Sequence, residues 1–465
     1  MAVHPNKRSG ARSALMRRSK LTFLLVLALT LVLAACNDDG DDVLDDDPAI
    51  DDPAGDEEAG PLSPSDEDVT INIWFGRDDF QPDDQFESFM DEHPNITVSA
   101  DTIPLEQATA DFLRQHEAGD APDIAQMEAA QVGILSRRGM VMDIQPILDT
   151  WQEENPELYD NMAPIAWDMA TWEDTRHGLA LHHGPYWHVY RSDVLDEIGA
   201  EEPETWDDVL EVSRQVVDQT DMWGYAAFAG SAELPNWAVG VFGQMGGEYV
   251  DNVMQIDSEP GYAWLNFYQT LMRDQLAHPD TVAWLSGDGR AAFIGGQAAQ
   301  TGEGMNLFPE FNRSLEYTEE MDVRADPVVL EGHEDNARHL SFGWPYYVSS
   351  DTEHPYEVGL VLQYLADFDQ SLSVALRYQP VANLEVMGSE EYVGANPWAE
   401  KLLPVLEILE PRPAHVNDIA MADVIQQANQ WALQNPDAPD DEVRARAAEW
   451  QEQLNELADQ VPDPE

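Results

Sequence analysis

Hydrophobic and polar positions first fall into a strand rhythm at Val69-Thr70-Ile71-Asn72-Ile73-Trp74-Phe75, where β-branched or aromatic residues alternate with polar ones. A pleated strand sends successive side chains to opposite faces, so this stretch predicts a first strand with one face buried. Residues 76–82 read as a turn, and Phe86, Phe89 and Met90 then recur at helical spacing until His93-Pro94 stops the helix. Residues 96–98 predict a second strand, 108–118 a helix ended by Gly119-Asp120-Ala121-Pro122, and Asp123-Ile124-Ala125 the start of a short third strand. A further helix over 132–138 is closed by Gly139. Strands alternating with helices in this way predict a parallel α/β sheet. Farther along, Thr205 stands where it caps a helix opened by Trp206, with Asp207 and Asp208 in the first turn complementing the helix dipole.

Ahead of this body the pattern differs. Arg12, Arg17, Arg18 and Lys20 precede an apolar run over 21–33, a basic region followed by a signal-type hydrophobic core that is shorter than a membrane span of roughly 20 residues. Leu33-Ala34-Ala35-Cys36 resembles the lipobox of bacterial lipoproteins, which implies cleavage before Cys36 and lipid on its thiol. The other reading, an uncleaved anchor helix, leaves the body on the same side of the membrane. Arg17-Arg18 also resembles a twin-arginine signal, so the export route stays open. Residues 37–68 are rich in Asp, Pro, Gly and Ala and nearly devoid of large apolar groups, which predicts an acidic disordered tether. Asp45-Asp46-Asp47 within it has no EF-hand spacing to support a calcium site.

Length and charge sharpen the picture. Removing the first 68 of 465 residues leaves enough chain for two lobes. Cys36 is the single cysteine, which excludes an internal disulfide and a thiolate metal cluster. The chain holds 90 Asp and Glu against 23 Lys and Arg, a formal net charge of −67. Six of those cations precede residue 37 and 15 of the acids lie in 37–68, leaving 17 cations against 75 acids from Val69 onward, a net of −58. Nucleic acid is not an expected partner, because binding it takes a cationic footprint. Lys401 is the only lysine after Lys20. A body so acidic repels itself at low ionic strength and is screened at high salt, so a salt-exposed source is expected.

Several stretches together resemble one family. Ile71-Asn72-Ile73-Trp74, Phe86 through Pro94, Ala118-Gly119-Asp120-Ala121-Pro122-Asp123-Ile124, Tyr190-Arg191-Ser192-Asp193-Val194-Leu195, Pro203-Glu204-Thr205-Trp206, Gly246-Gly247-Glu248-Tyr249, Phe293-Ile294-Gly295-Gly296 and Phe342-Gly343-Trp344-Pro345-Tyr346 are similar to family 1 extracellular solute-binding proteins. These are the carbohydrate receptors of ABC importers, a group that includes maltose-binding protein. The chain departs from the usual pattern at Gln297 and Gln300, where relatives place Lys and Met. The resemblance implies an α/β chain in the two-lobed periplasmic-binding-protein fold of type II, with lobes discontinuous in sequence and a central ligand cleft. The expected N-lobe is about 69–181 plus 328–387 and the second lobe about 182–327 plus 388–465. It further implies a monomer that captures a sugar, chiefly an oligosaccharide, outside the cytoplasm, is held to the cell membrane through Cys36, passes ligand to ABC permease subunits, needs no cofactor and breaks no bond.

Sugar sites stack apolar ring faces on aromatics and bind hydroxyls with carboxylates, amides, Arg and His. Candidates of that kind are Trp74, Arg77 and Asp78 after the first strand, at the carboxyl end where open α/β sheets bind ligand. Met127 and Glu128 follow the third strand, and Glu233, Asn236 and Trp237 lie in a loop ahead of a later helix. Glu303, Met305 and Asn306 occupy a place where relatives carry an aromatic platform; Trp344 joins them, as do His415 and Asn417 of the segment Arg412-Pro413-Ala414-His415-Val416-Asn417. His183, Tyr186 and Trp187 complete the set. His177, His182, His183 and His188 also suggest a metal site, but the adjacent pair on a strand faces opposite ways. A receptor for a polyol or a metal ion, and a surface-anchored carbohydrate-active enzyme, are the alternative readings. No P-loop, dinucleotide fingerprint, nucleophile elbow or HExxH is present.

Overall fold

The opening rhythm becomes Val69–Phe75 (β1), which buries Val69, Ile71 and Ile73 and turns Thr70 and Asn72 outward. It pairs in parallel with Ile96–Thr102 (β2), Val69 opposite Ile96 through Phe75 opposite Thr102, and on its other side with Ile124–Gln126 (β3). Parallel neighbours need long crossovers, here containing Glu87–Glu92 (α1) and Leu105–Ala118 (α2). The second helix starts earlier than the apolar spacing suggests, because the Pro104 carbonyl already accepts from the amides of Gln107 and Ala108. It stops where Gly119 takes φ 74, a left-handed cap that a side chain would strain. After β3, a 3-10 turn leads into Val132–Arg137 (α3), which closes before Gly139 at φ 65.

The later strands are Gly178–Leu179 (β4), His183–Tyr190 (β5), Gln300–Gly304 (β6), Asp322–Val323 (β7), His339–Gly343 (β8), Tyr346–Val348 (β9) and Leu409–Pro411 (β10). They build two five-stranded sheets. The first has the order β2-β1-β3-β9-β4, and the second the order β6-β5-β8-β10 with β7 also paired to β5. The first sheet is mixed, not wholly parallel, because β9 returns from the second sheet and runs antiparallel to both β3 and β4. The chain passes between the sheets at residues 180–182, again at 344–345, and a third time between β9 and β10. Near the first passage, Ala382 N–H donates to the Leu181 carbonyl (2.8 Å), and His182 bridges Val381. Residues 328–343 lie with the second sheet, since Thr205 bridges Val329 and β8 pairs with β5; re-entry into the first sheet therefore comes at Tyr346, later than the expected 328.

The structure is a computed structural model and describes residues 62–76, 85–230, 234–304, 308–317, 319–324, 328–377, 380–406 and 408–460. Cys36, Arg77, Asp78, Glu233, Met305, Asn306 and the side chain of Glu303 lie outside what is described.

The second sheet carries helices whose ends follow from local chemistry. Trp206–Gln219 (α4) opens with the Thr205 hydroxyl accepting from Asp208 N–H (3.1 Å) while the Asp208 carboxylate accepts from Thr205 N–H (2.9 Å). Such a reciprocal cap contributes about 1 kcal/mol. Leu234–Gln244 (α5), Glu259–Arg273 (α6) and Asp418–Gln434 (α7) pack around Trp237, Trp264 and Tyr268, with Tyr268 set edge-on to both tryptophans at 5.8 and 5.7 Å. Each side chain of that size stabilises the fold by roughly 2–3 kcal/mol when fully buried. Asp440–Asp459 (α8) closes the described chain against the same core.

Candidate functional site

The site grows from the carboxyl end of β3, where the chain leaves a wholly buried strand, keeps Met127 buried and brings Glu128 out to a half-buried position. The turn that follows is pinned by Tyr347, whose hydroxyl donates to the carbonyls of Ala129 (3.0 Å) and Glu128 (3.3 Å). Opposite stands the first turn of α5, from which Asn236 Nδ2 donates to Glu128 Oε1 at 3.0 Å. The two residues belong to elements of different sheets, so this contact spans the junction between them. Trp237, next along the helix, is buried against Tyr225, Phe228 and Tyr268 and fixes the turn that presents Asn236.

Four positions later, Gly240 lies on the same helix face as Asn236. A Cβ there would come within 3.6 Å of both Phe342 and Tyr186, two half-buried rings packed edge-to-face at 5.0 Å. Trp344, on the passage from β8 to β9, hydrogen-bonds the Glu128 carboxylate. The junction thus sets half-buried aromatics beside a carboxylate and an amide, the combination that sugar recognition requires.

A charged pair completes the surroundings. Arg412, just past β10, donates Nη1 and Nη2 to the two carboxylate oxygens of Asp418 (3.1 and 2.8 Å), and both side chains are nearly buried. Burial raises the Glu128 carboxyl above its ordinary range, against the pull of Arg412 and the Asn236 hydrogen bond. Burial also raises Asp418 despite its Arg412 partner, because removal from water outweighs the attraction; Arg412, disfavoured by burial, is held charged by Asp418 and Glu128. On the other side of the junction, a Cβ on Gly133 of α3 would meet Trp172 at 2.8 Å and the Val416 amide at 3.0 Å, so glycine permits a close approach between the two.

Several expected ligand contacts are elsewhere. Trp74 is 6% exposed and packs edge-on against Phe112 at 6.4 Å, and Met127, Trp187 and Trp237 are core residues at 0–2%. Met127, Trp187 and Trp237 are the inward neighbours of the half-buried Glu128, Tyr186 and Asn236, and sequence alone does not say which member of such a pair faces the junction; Trp74 lies between two buried residues, Ile73 and Phe75. His183 is fully enclosed, its ring lowered by burial to a pKa of about 4. Asn417 Nδ2 donates to the carbonyls of Leu457 and Gln460, both at 2.7 Å, and so ties down the end of α8. His415 is half-buried, accepts from the Asn417 amide, and has its pKa lowered by burial. Of the described candidates, Glu128, Asn236, Tyr186, Trp344 and His415 remain at or beside the junction. Arg412, Asp418, Phe342 and Trp172 join them without having been singled out, although Arg412 and Phe342 lie inside segments whose other residues were.

The neighbouring histidines are separately occupied: His182 Nε2 reaches Tyr346 Oη (3.2 Å), His188 Nε2 meets Gln300 Oε1 (3.1 Å), and His177 Nδ1 donates to the Met142 carbonyl (2.9 Å). Among the described residues no three His, Cys, Asp or Glu side chains converge as metal ligands. A groove of about 240 Å³ opens on the second lobe between α6, α8 and residues 330–333. It shares no lining residue with the junction, and its Arg444 is already committed, lying 4.0 Å over the Tyr262 ring and pairing with Glu259.

The profile of the bacterial extracellular solute-binding protein family matches residues 78–368, more than half of the chain. An arabinooligosaccharide-binding protein of Halalkalibacterium halodurans is 28% identical over 148 residues, 30% of this chain and 31% of that protein, so less than a third of the relative's length is matched. Among solved structures, maltose-bound MalE3 of T. maritima superposes with a TM-score of 0.69 at 19% identity, covering 83% of this chain and all of that one. The GacH receptor of Streptomyces glaucescens gives 0.69 at 17% identity over 85% and 99%. MalE of Xanthomonas citri gives 0.71 at 15% over 84% and 97%. The fold is accordingly the two-lobed periplasmic-binding-protein fold of type II.

Proposed function

Since this chain belongs to the bacterial extracellular solute-binding proteins, we propose that it captures a sugar, chiefly an oligosaccharide, between its lobes and presents it to the permease subunits of an ABC importer. The observation that carries this reading is the Asn236–Glu128 hydrogen bond across the lobe junction, flanked by Trp344, Tyr186 and Phe342. A carboxylate accepts from sugar hydroxyls, an amide both donates and accepts, and half-buried rings take the apolar sugar faces. Arg77, Asp78, Glu233, Glu303, Met305 and Asn306 are offered as further contacts on sequence grounds. Capture followed by lobe closure gives the permease a liganded shape to recognise, and the chain itself breaks no bond.

The N-terminal segment supplies the location in this reading. Lipid on Cys36 holds the monomeric body at the outer face of the cell membrane, and the acidic stretch spaces it from the bilayer as far as residue 61, not 68, since Leu62 and Ser65 already donate their amides to Thr150 Oγ1 (3.2 Å) and Glu357 Oε1 (2.6 Å) of the body. The N-lobe is taken as the residues of the first sheet and its helices, entered a second time at Tyr346. The acidity suits a salt-rich exterior.

Titration calorimetry of the purified chain with malto-, arabino-, xylo- and galacto-oligosaccharides, with chromatography of each mixture afterwards, tests the reading. Saturable binding without products is expected. Hydrolysis of any bound sugar would overturn it, as would the absence of binding across the panel.

A further inference from the structure

The charges at the junction do not cancel. Arg412 commits both terminal guanidinium nitrogens to Asp418, at 3.1 and 2.8 Å. Glu128 is left with neutral donors: the Asn236 amide at 3.0 Å and the indole of Trp344. Arg338, whose charge reaches Tyr249, is already paired with Glu410. Burial depresses the protonation of His415, and it keeps the phenols of Tyr347 and Tyr249 un-ionised. With both carboxyls ionised, Glu128, Arg412 and Asp418 sum to one negative charge at a half-buried junction, where Coulomb interactions act through a lower effective dielectric than in water. A carboxylate accepts hydrogen bonds and donates none, so it is complementary to sugar hydroxyls and repels a second carboxylate.

On the premise that the junction is a sugar site, we propose that Glu128 is a charge filter that restricts the ligand to sugars without acidic groups, rejecting uronic acids even when every ring contact is retained. Two fields could repel an acidic ligand, and they are separable. The excess of acids over the body is spread along the chain and is screened at molar salt, where the Debye length is about 3 Å. Glu128 is half-buried at the junction, where partly buried charges are screened less. Discrimination that survives high salt therefore belongs to the junction.

The test uses the neutral oligosaccharide that binds the purified chain most tightly and the same molecule with one primary alcohol oxidised to a carboxylate, oxidising each ring in turn. Affinities are measured by calorimetry at ~2 M sodium chloride, where the surface field is screened. The oxidised forms are expected to bind at least about tenfold more weakly than the parent, the direction set by like-charge repulsion in a low-dielectric site. Glu128→Gln keeps the size and the acceptor for Asn236 while removing the charge. It is expected to weaken the parent and strengthen the oxidised forms, closing the gap from both sides. A loss of packing would weaken both together. Oxidised forms that bind the native chain as tightly as the parent overturn the filter while leaving sugar capture intact, and so does an unchanged ratio in Glu128→Gln. If no neutral sugar binds, the sugar reading itself falls and the filter with it.

Discussion

Asn236 donates to Glu128 over 3.0 Å from a helix on one sheet to a loop on the other. This is a direct tie between the lobes, and it engages the carboxylate offered here as the sugar's acceptor. Replacing Asn236 by Asp sets two carboxylates at that distance, where like charges with little water between them repel by several kcal/mol. The lobes of Asn236→Asp are expected to part in the absence of ligand, raising the radius of gyration in small-angle scattering, and sugar affinity should fall by more than about tenfold. An unchanged scattering curve would show that the tie does not hold the lobes.

How much of this was legible beforehand depends on the kind of information involved. The β1 rhythm, the Gly119 stop and the Thr205 cap are local, and each appears where hydrophobic period or capping chemistry put it. Which of two adjacent residues faces the junction is not local. Met127 and Glu128 are consecutive, as are Asn236 and Trp237, and in each pair only the polar member is presented while the other packs inward. The Arg412–Asp418 pair was not legible because its meaning lies in burial: in a chain with 75 acids beyond residue 68, an Arg six residues from an Asp carries no signal until both are seen enclosed together. Trp172 was hidden for a related reason, since it approaches the junction only through Gly133, far from it in pattern.

Acid should unfold this chain through its histidines. Burial lowers His182 to a pKa of about 3 and His183 and His188 to about 4, whereas an unfolded histidine titrates near 6.5. Below about pH 6.5 the unfolded chain binds protons that the folded chain refuses, so stability is full above that pH and drains away as pH falls toward 4, by up to roughly 3 kcal/mol per ring. The carboxylates act in the opposite sense, because protonating them relieves self-repulsion; working in ~2 M sodium chloride suppresses that term. Melting temperature is then expected to drop between about pH 7 and pH 4.5, and less so in His183→Leu, which removes a ring whose two nitrogens have no hydrogen-bond partner. Equal acid sensitivity in that variant would assign the loss to other groups.

Lys401, the only lysine after Lys20, spans two elements: its ammonium donates to Asp322 Oδ1 (2.7 Å) and to the Val323 carbonyl (2.8 Å), fastening the helix Ala399–Leu406 to β7. The side chain is about a third exposed, so solvent screens part of the attraction. Lys401→Met, which keeps the stem and removes the charge, should cost about 1 kcal/mol. Denaturant titration would show it as a lower midpoint with an unchanged slope. A neutral result would mean that the acid-rich surroundings gain nothing from this cation.

Salt should strengthen the fold as a whole. The body carries a net charge of −58 from Val69 onward, and its repulsion extends about 30 Å at 0.01 M ionic strength but only about 3 Å at 1 M. Screening alone therefore predicts a melting temperature that climbs steeply with the first additions of sodium chloride and then flattens. Sodium sulfate adds a second effect, exclusion from the protein surface, which keeps stabilising at concentrations where screening is already complete. Melting the chain without residues 1–58 in both salts separates the two: the curves should rise together at low ionic strength and diverge above ~0.5 M, with sulfate continuing upward. The screening component should also grow with pH as the remaining carboxyls ionise. If the melting temperature is flat or falls between ~0.05 M and ~2 M sodium chloride, repulsion among these carboxylates does not limit stability, and the acidity of the surface needs another explanation.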